Sequence, residues 1–373
     1  MTNKNEFLLA LGLVGVQGLR PYEPGKPLEE LEREYGVTNA IKLASNENPL
    51  GPSPAVFEVI GQSLKDLARY PDGNGFALKR KIAQKQGVAT DQLTLGNGSN
   101  DILELIGRAF LDTQSEVIYS EHAFAVYALV TQATGAKAVV VPALDWGHDL
   151  DAMAERINDK TKVIFIANPN NPTGTWLDQV RLKRFIARVP EQVIVVVDEA
   201  YHEYIGEKAY GTAISWLTEF PNLVVTRTFS KAYGLAGLRV GYGISHSAIA
   251  DLLNRVRQPF NVNSLALIAA EHALDDQAHI DKAIELNHSG MHYLCEEFNR
   301  LGLDFIPSVG NFVCVRVGKQ AKDINEALMR HGVIVRPVAN YGMPEYLRIT
   351  IGLESENSRF IAAMEQILKS INN

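Results

Sequence analysis

The sequence predicts an α/β chain, with a large domain built on a mostly parallel central sheet flanked by helices and a smaller α+β domain after it. Three observations carry this expectation. Short apolar, β-branched runs alternate with helical stretches through the middle of the chain. Several of these runs are continuously apolar, as strands covered on both faces require. Beyond about Asn263 the alternation stops, and a proline-free stretch rich in Ala, Leu and Glu begins.

The elements follow in order. Lys4 and the apolar run Phe7 to Val16 resemble the first parts of a signal peptide, but no small-x-small cleavage site follows. The run is also too short to span a bilayer. It is expected to be an arm that packs on another surface, such as a second subunit. Strands are expected at Val117–Tyr119, Ala138–Val141, Val163–Ile166, Val193–Val197 and Leu223–Thr226, with helices at Asp101–Phe110 and Leu177–Arg188 between them. Residues 265–301 read as mostly helix, and Phe312–Val317, Val333–Arg336 and Leu347–Ile351 as the strands of the smaller domain. With 373 residues, the chain divides into an arm and part of the small domain (1–45), a large domain (46–264) and a small one (265–373).

Composition narrows the function. The formal net charge is −7 and no Lys/Arg stripe with interleaved aromatics is present, so nucleic acid is not an expected partner. A site inside an acidic protein can still be locally basic. Cys295 and Cys314 show no CxxC spacing and no nearby His cluster. They are expected to be reduced structural thiols of a cytoplasmic protein, with no metal site and no membrane partner.

Four segments carry chemistry. Thr228-Phe229-Ser230-Lys231 directly follows an expected strand, where open α/β sheets place ligands. Burial or nearby charge turns such a lysine amine into a nucleophile toward carbonyls. Thr228 and Ser230 can donate to an anion, and Arg239 can clamp it. Taken alone, Lys231 reads as an ordinary solvated lysine, since most lysines are exposed. Asp198 ends the run Val193–Val197, at the same sheet edge. An acid there can hold the ring-nitrogen proton of a pyridine cofactor. At about 3 Å and an effective dielectric of about 20, that attraction is on the order of 5 kcal/mol before desolvation. A Mg²⁺-binding acid is the other option, but no GxxxxGK[ST] precedes it. Asn168-Pro169-Asn170-Asn171-Pro172-Thr173-Gly174 forces a turn from which an amide can donate to a phenolate oxygen, or which is a plain turn. Gly96-Asn97-Gly98-Ser99-Asn100 opens an amphipathic helix whose free N–H groups suit a phosphate, or are simply capped by Ser99 or Asn100.

In combination, Asn171-Pro172-Thr173-Gly174, Asp198-x-x-Tyr201, Ser230-Lys231, Arg239 and Arg348 resemble the fold-type I aminotransferases that use pyridoxal 5'-phosphate. That resemblance implies Lys231 as the Schiff-base lysine and proton shuttle, and Asp198 as the partner of the ring nitrogen. It implies Tyr201 and Asn171 at the phenolic oxygen, and Ser99, Asn100, Thr228, Ser230 and Arg239 around the phosphate. Phe124 matches the aromatic that stacks on the ring, without a hydroxyl of its own. Tyr70 matches a tyrosine that reaches across a homodimer interface to the phosphate. Within the family, Arg20-Pro21-Tyr22, Leu43-Ala44-Ser45-Asn46-Glu47-Asn48-Pro49, Arg69-Tyr70-Pro71-Asp72, Gly310-Asn311-Phe312-Val313, Val335-Arg336-Pro337 and Tyr346-Leu347-Arg348-Ile349-Thr350-Ile351-Gly352 are similar to the histidinol-phosphate aminotransferase group. The implied substrates are histidinol phosphate and 2-oxoglutarate, giving imidazole-acetol phosphate and glutamate in histidine biosynthesis; an aromatic or broad-range aminotransferase, a threonine-phosphate decarboxylase-like enzyme and a non-catalytic binder of the same cofactor are the alternatives. Tyr22, Asn48, Tyr70, Arg336 and Arg348 are the implied substrate contacts. Two arginines suit a site that accepts both a phosphomonoester and a dicarboxylate.

Overall fold

The apolar runs become strands because both of their faces are covered. The computed structural model describes residues 8–21 and 25–371. Its strands in chain order are β1 (Ile41–Leu43), β2 (Leu93–Gly96), β3 (Glu116–Ser120), β4 (Lys137–Val141), β5 (Thr161–Ala167), β6 (Ile194–Asp198), β7 (Leu223–Thr228), β8 (Gly241–Ser245), β9 (Phe305–Ile306), β10 (Phe312–Arg316), β11 (Val333–Pro337) and β12 (Tyr346–Thr350). Seven of them form a sheet in the order β2-β8-β7-β6-β5-β3-β4. Pairing is parallel from β4 through β7, and β8 alone runs against the rest.

Alternate residues of these strands serve opposite faces. Ile118, Ile164, Ile166, Val195, Val197 and Val225 join one buried cluster. Val117, Val163, Phe165, Ile194, Val196 and Val224 join the other. This is the physical reason that the sequence shows unbroken apolar runs rather than alternation.

The sequence pattern does not predict β1, β2, β8 or β9. Gly241 and Gly243 dilute the β-branched signal in β8, and β2 is only four residues long. Glycine is needed at Gly241, where a Cβ would stand 2.5 Å from the Ser99 amide nitrogen.

A second sheet, β1-β11-β12-β10-β9, forms the smaller layer. Ile41 of β1 pairs in parallel with Val333 of β11, which ties the segment before the large sheet to the C-terminal strands. Helices Ala321–Arg330 and Glu354–Ile371 bury Ile324, Leu328, Phe360 and Met364 against this sheet.

The helical stretch expected over 265–301 is two helices, Ser264–Ala273 and Gln277–Arg300, broken where Asp276 caps the second by accepting from the His279 amide. The change of core falls later than residue 264. Ala266, Ala269, Ala270 and Ile280 pack with the large sheet, whereas Leu294 and Phe298 pack with the small one. We therefore propose that the domains divide within helix Gln277–Arg300. Among the described residues no helix is long and apolar enough to cross a membrane.

Candidate active site

The parallel strands end at one edge of the sheet, and the functional segments follow those ends. β2 leads to Ser99 and Asn100, β3 to Phe124, β5 to Asn171, β6 ends on Asp198, and β7 ends on Thr228 before Ser230 and Lys231. The antiparallel β8 begins at this edge, so Arg239 arrives there too. A cavity of about 640 Å³ opens at this edge, lined by all nine of these residues and by Tyr201, Arg336 and Arg348.

Lys231 Nζ donates to the carbonyl of Ser45 at 3.0 Å. Burial, and after it the positive charge of Arg348, push its ammonium down to about 7. A substantial share of the amine is therefore unprotonated near neutral pH and available as a base or nucleophile.

Asp198 is only 5% exposed. Its two oxygens accept from Thr226 Oγ1 at 2.9 Å and from Tyr127 Oη at 3.0 Å. Burial nevertheless holds its carboxyl above the ordinary range. A buried acid with neutral donors alone is incomplete electrostatically, and a cationic ring nitrogen is the complement it lacks.

Tyr201 Oη accepts from Asn46 Nδ2 at 2.9 Å and from Asn171 Nδ2 at 3.2 Å. Burial drives its phenol up to about 12, so it stays protonated. Phe124 lines the cavity and meets Tyr127 edge to face at 5.8 Å, and Tyr127 stacks on Phe165 at 4.7 Å.

Near Arg239 the cavity wall is a cradle of polar groups. Arg239 Nη1 donates to Ser230 Oγ at 3.2 Å, and the Ser230 amide donates to Thr228 Oγ1 at 3.1 Å. Helix Ser99–Phe110 starts here with its positive dipole end. Gly98 has φ of +81°, and a Cβ on it would lie 2.3 Å from Arg239 Nη2. Only glycine leaves that guanidinium room. The acid, the amine and the cradle together fit pyridoxal phosphate.

Arg336 and Arg348 are directly opposed across β11 and β12. Like charges opposed across strands repel, and a bound anion offsets that cost. Arg348 Nη1 donates to Asn171 Oδ1 at 2.7 Å and its Nη2 to the Ala44 carbonyl at 2.9 Å, both neutral acceptors.

Two expected contacts stand elsewhere. Asn48 does not line the cavity, because its side chain is spent on the backbone: Nδ2 donates to the Ala232 carbonyl at 2.8 Å and Oδ1 accepts from the Leu50 amide at 3.0 Å. Tyr70 is 83% exposed and stacks on Phe260 at 4.8 Å, outside this chain's cavity. Tyr22 lies outside the described residues. Residues not anticipated are Asn46, Tyr127, Thr226 and Tyr341. Tyr341 lines the cavity, on a turn whose carbonyl contacts His122 Nδ1 at 2.7 Å. Among the described residues no group of three or more His, Cys, Asp or Glu is arranged to hold a metal ion.

Residues 38–364 match the family described as aminotransferase class I and II, and the chain belongs to that family. Its relatives are narrower in name. It is 55% identical over 359 residues to histidinol-phosphate aminotransferase 1 of Nitrosococcus oceani, covering 96% of this chain and 97% of that one. It is 58% identical over 362 residues to histidinol-phosphate aminotransferase 2 of Pseudomonas fluorescens, covering 96% and 98%. Among solved structures it resembles the histidinol-phosphate aminotransferase of Sinorhizobium meliloti in complex with pyridoxal 5'-phosphate, with a TM-score of 0.89 and 30% identity over 96% of this chain and 97% of that one.

Proposed function

We propose that this enzyme transfers the amino group of histidinol phosphate to 2-oxoglutarate with pyridoxal phosphate as cofactor, forming imidazole-acetol phosphate and glutamate in histidine biosynthesis. The observation that carries the substrate assignment is the likeness, at 52–58% identity over nearly the whole chain, to relatives bearing that name. The opposed Arg336 and Arg348 support it, since the two half-reactions bring a phosphomonoester and a dicarboxylate to one site in turn.

When bound, pyridoxal phosphate supplies an electron sink beside the reacting carbon of the substrate. The chain's own residues do the rest. Lys231 would hold the cofactor through Nζ, and its free amine would take the proton from the substrate carbon. An amine whose ammonium sits at about 7 is suited to both tasks. Asp198 holds the proton of the ring nitrogen. Tyr201, with Asn171, donates toward the phenolic oxygen. Ser99, Asn100, Thr228, Ser230 and Arg239 would anchor the cofactor phosphate, and Phe124 would stack against the ring. Arg348 and Arg336 orient the anionic ends of the two substrates, with Tyr22 adding a hydrogen bond.

We further propose a cytoplasmic homodimer in which Tyr70 of each chain reaches the other chain's phosphate site. The exposed apolar side chains of Leu8, Leu11, Val14, Phe57, Leu64 and Phe76 support an interface of this kind. The test of function is a donor panel with 2-oxoglutarate as acceptor: histidinol phosphate, phenylalanine, tyrosine and aspartate. Histidinol phosphate is expected to give the highest kcat/KM. An equal or higher value for phenylalanine refutes the assignment.

A further inference from the structure

Asn46 stands in the cavity wall, is almost fully buried, and has φ of +55° in the left-handed region. Asn tolerates that conformation better than most residues, so the backbone alone could account for it. The hydrogen bonds require more. The Asn46 amide donates to Thr350 Oγ1 at 2.9 Å, which leaves the Thr350 hydroxyl proton to donate to Asn46 Oδ1 at 3.2 Å. With Oδ1 engaged as acceptor, Nδ2 is the end that meets Tyr201 Oη at 2.9 Å. The second amide is fixed in the same way. Arg348 is a donor only, so its 2.7 Å contact assigns Asn171 Oδ1 as acceptor, and Asn171 Nδ2 faces Tyr201 Oη.

Tyr201 Oη thus receives two donated hydrogen bonds, one for each lone pair, and its own proton is left to donate. Arg348 and Thr350 lie two residues apart on β12, so one strand sets both amides.

We propose that Asn46 is a positioning residue that fixes the direction of the Tyr201 hydroxyl, aiming its proton into the cavity at the phenolic oxygen of the cofactor. This rests on the pyridoxal phosphate assignment above. A hydroxyl that donates to the phenolic oxygen lowers that oxygen's proton affinity. Losing the aim raises the midpoint at which the bound cofactor's visible absorption changes with pH. Tyr201 is faced by Arg348 and Tyr341 from the small domain and by Asp198 and Lys231 from the large one, and all four stay in place in the variants below.

The experiment titrates the visible band of the loaded enzyme against pH in wild type, Asn46→Gly and Thr350→Val. Glycine suits the left-handed backbone and removes the side-chain amide together with its methylene. The expected result for Asn46→Gly is a midpoint raised by about one pH unit, with a smaller rise for Thr350→Val. In a Tyr201→Phe background, Asn46→Gly adds no further shift. An unmoved midpoint in both single variants overturns the proposal, and so does an equal shift in the Tyr201→Phe background. A wild type that acquires no visible band on adding pyridoxal phosphate overturns the cofactor assignment instead, and with it this proposal.

Discussion

Replacing Asp198 with Asn removes one negative charge from the cavity while keeping the side chain's shape. Thr226 Oγ1 and Tyr127 Oη stand 2.9 and 3.0 Å from different carboxylate oxygens, so one hydroxyl can still donate to the amide oxygen while the other turns to accept from the amide nitrogen. A carboxylate about 3 Å from a protonated ring nitrogen, at an effective dielectric of about 20, attracts it by about 5 kcal/mol. Desolvation of the pair offsets part of this, leaving about 3 kcal/mol. Since 1.36 kcal/mol is tenfold in rate, kcat/KM should fall by about 10²-fold. The assay is glutamate formation from histidinol phosphate and 2-oxoglutarate at saturating cofactor. The cofactor-free protein supplies an independent readout. Burial raises the Asp198 carboxyl above its ordinary value of 3.8. Between that value and the raised one the folded protein binds a proton that the unfolded chain has released, so stability falls as pH rises through the window. Asp198→Asn lacks this cost, and without cofactor it should melt at a higher temperature than wild type at pH 7 while being the slower enzyme. A loss in kcat/KM of less than about threefold would refute the reasoning.

Other expectations follow from the same geometry. Lys231→Met should cut glutamate formation by about 10⁴-fold, since covalent attachment and proton transfer both go with it. Because burial lowers the Lys231 ammonium from 10.5 to about 7, the unfolded chain binds the extra proton between those values. Wild type without cofactor should therefore gain thermal stability relative to Lys231→Met as pH rises from about 7 toward 10; parallel curves contradict the burial. Arg348→Lys should lower kcat/KM by about 10²-fold with both substrates, because a single ammonium nitrogen lacks the planar fork whose separate nitrogens reach Asn171 and the Ala44 carbonyl while facing an anion. An unchanged KM for 2-oxoglutarate counts against its role. Tyr70→Phe should weaken cofactor binding about fivefold, near 1 kcal/mol for one hydrogen bond, measured by cofactor titration of the stripped protein. An unchanged dissociation constant leaves the phosphate to residues of its own chain.

Much of the site was legible because its residues sit where strands end. The positions of Asp198 and Lys231 follow from knowing that β6 and β7 are parallel neighbours, and their apolar runs announce that. The partners of these residues were harder to see. Thr226 lies two residues before Thr228 and is opposite Asp198 in the sheet register, so strand parity could have found it. Tyr127 follows Phe124 by three, the spacing that places helical neighbours together. Asn46 and Asn48 stand two residues apart within one motif. The left-handed turn at Asn46 breaks the extended alternation, and it puts Asn46 in the cavity and Asn48 against the Ala232 carbonyl. No local pattern announces that. Strand β8 was hidden by its glycines, whose lack of side chains lets the helix beginning at Ser99 approach the sheet.

The central claim is that Lys231 carries the cofactor. Its most direct test is borohydride reduction of the loaded wild-type enzyme, followed by proteolysis and mass spectrometry of the peptides. We expect the reduced cofactor on the peptide containing Lys231, and its loss when a substrate amine is added first. An unmodified Lys231 in enzyme that is fully loaded and turning over, or the cofactor on a different lysine, contradicts it.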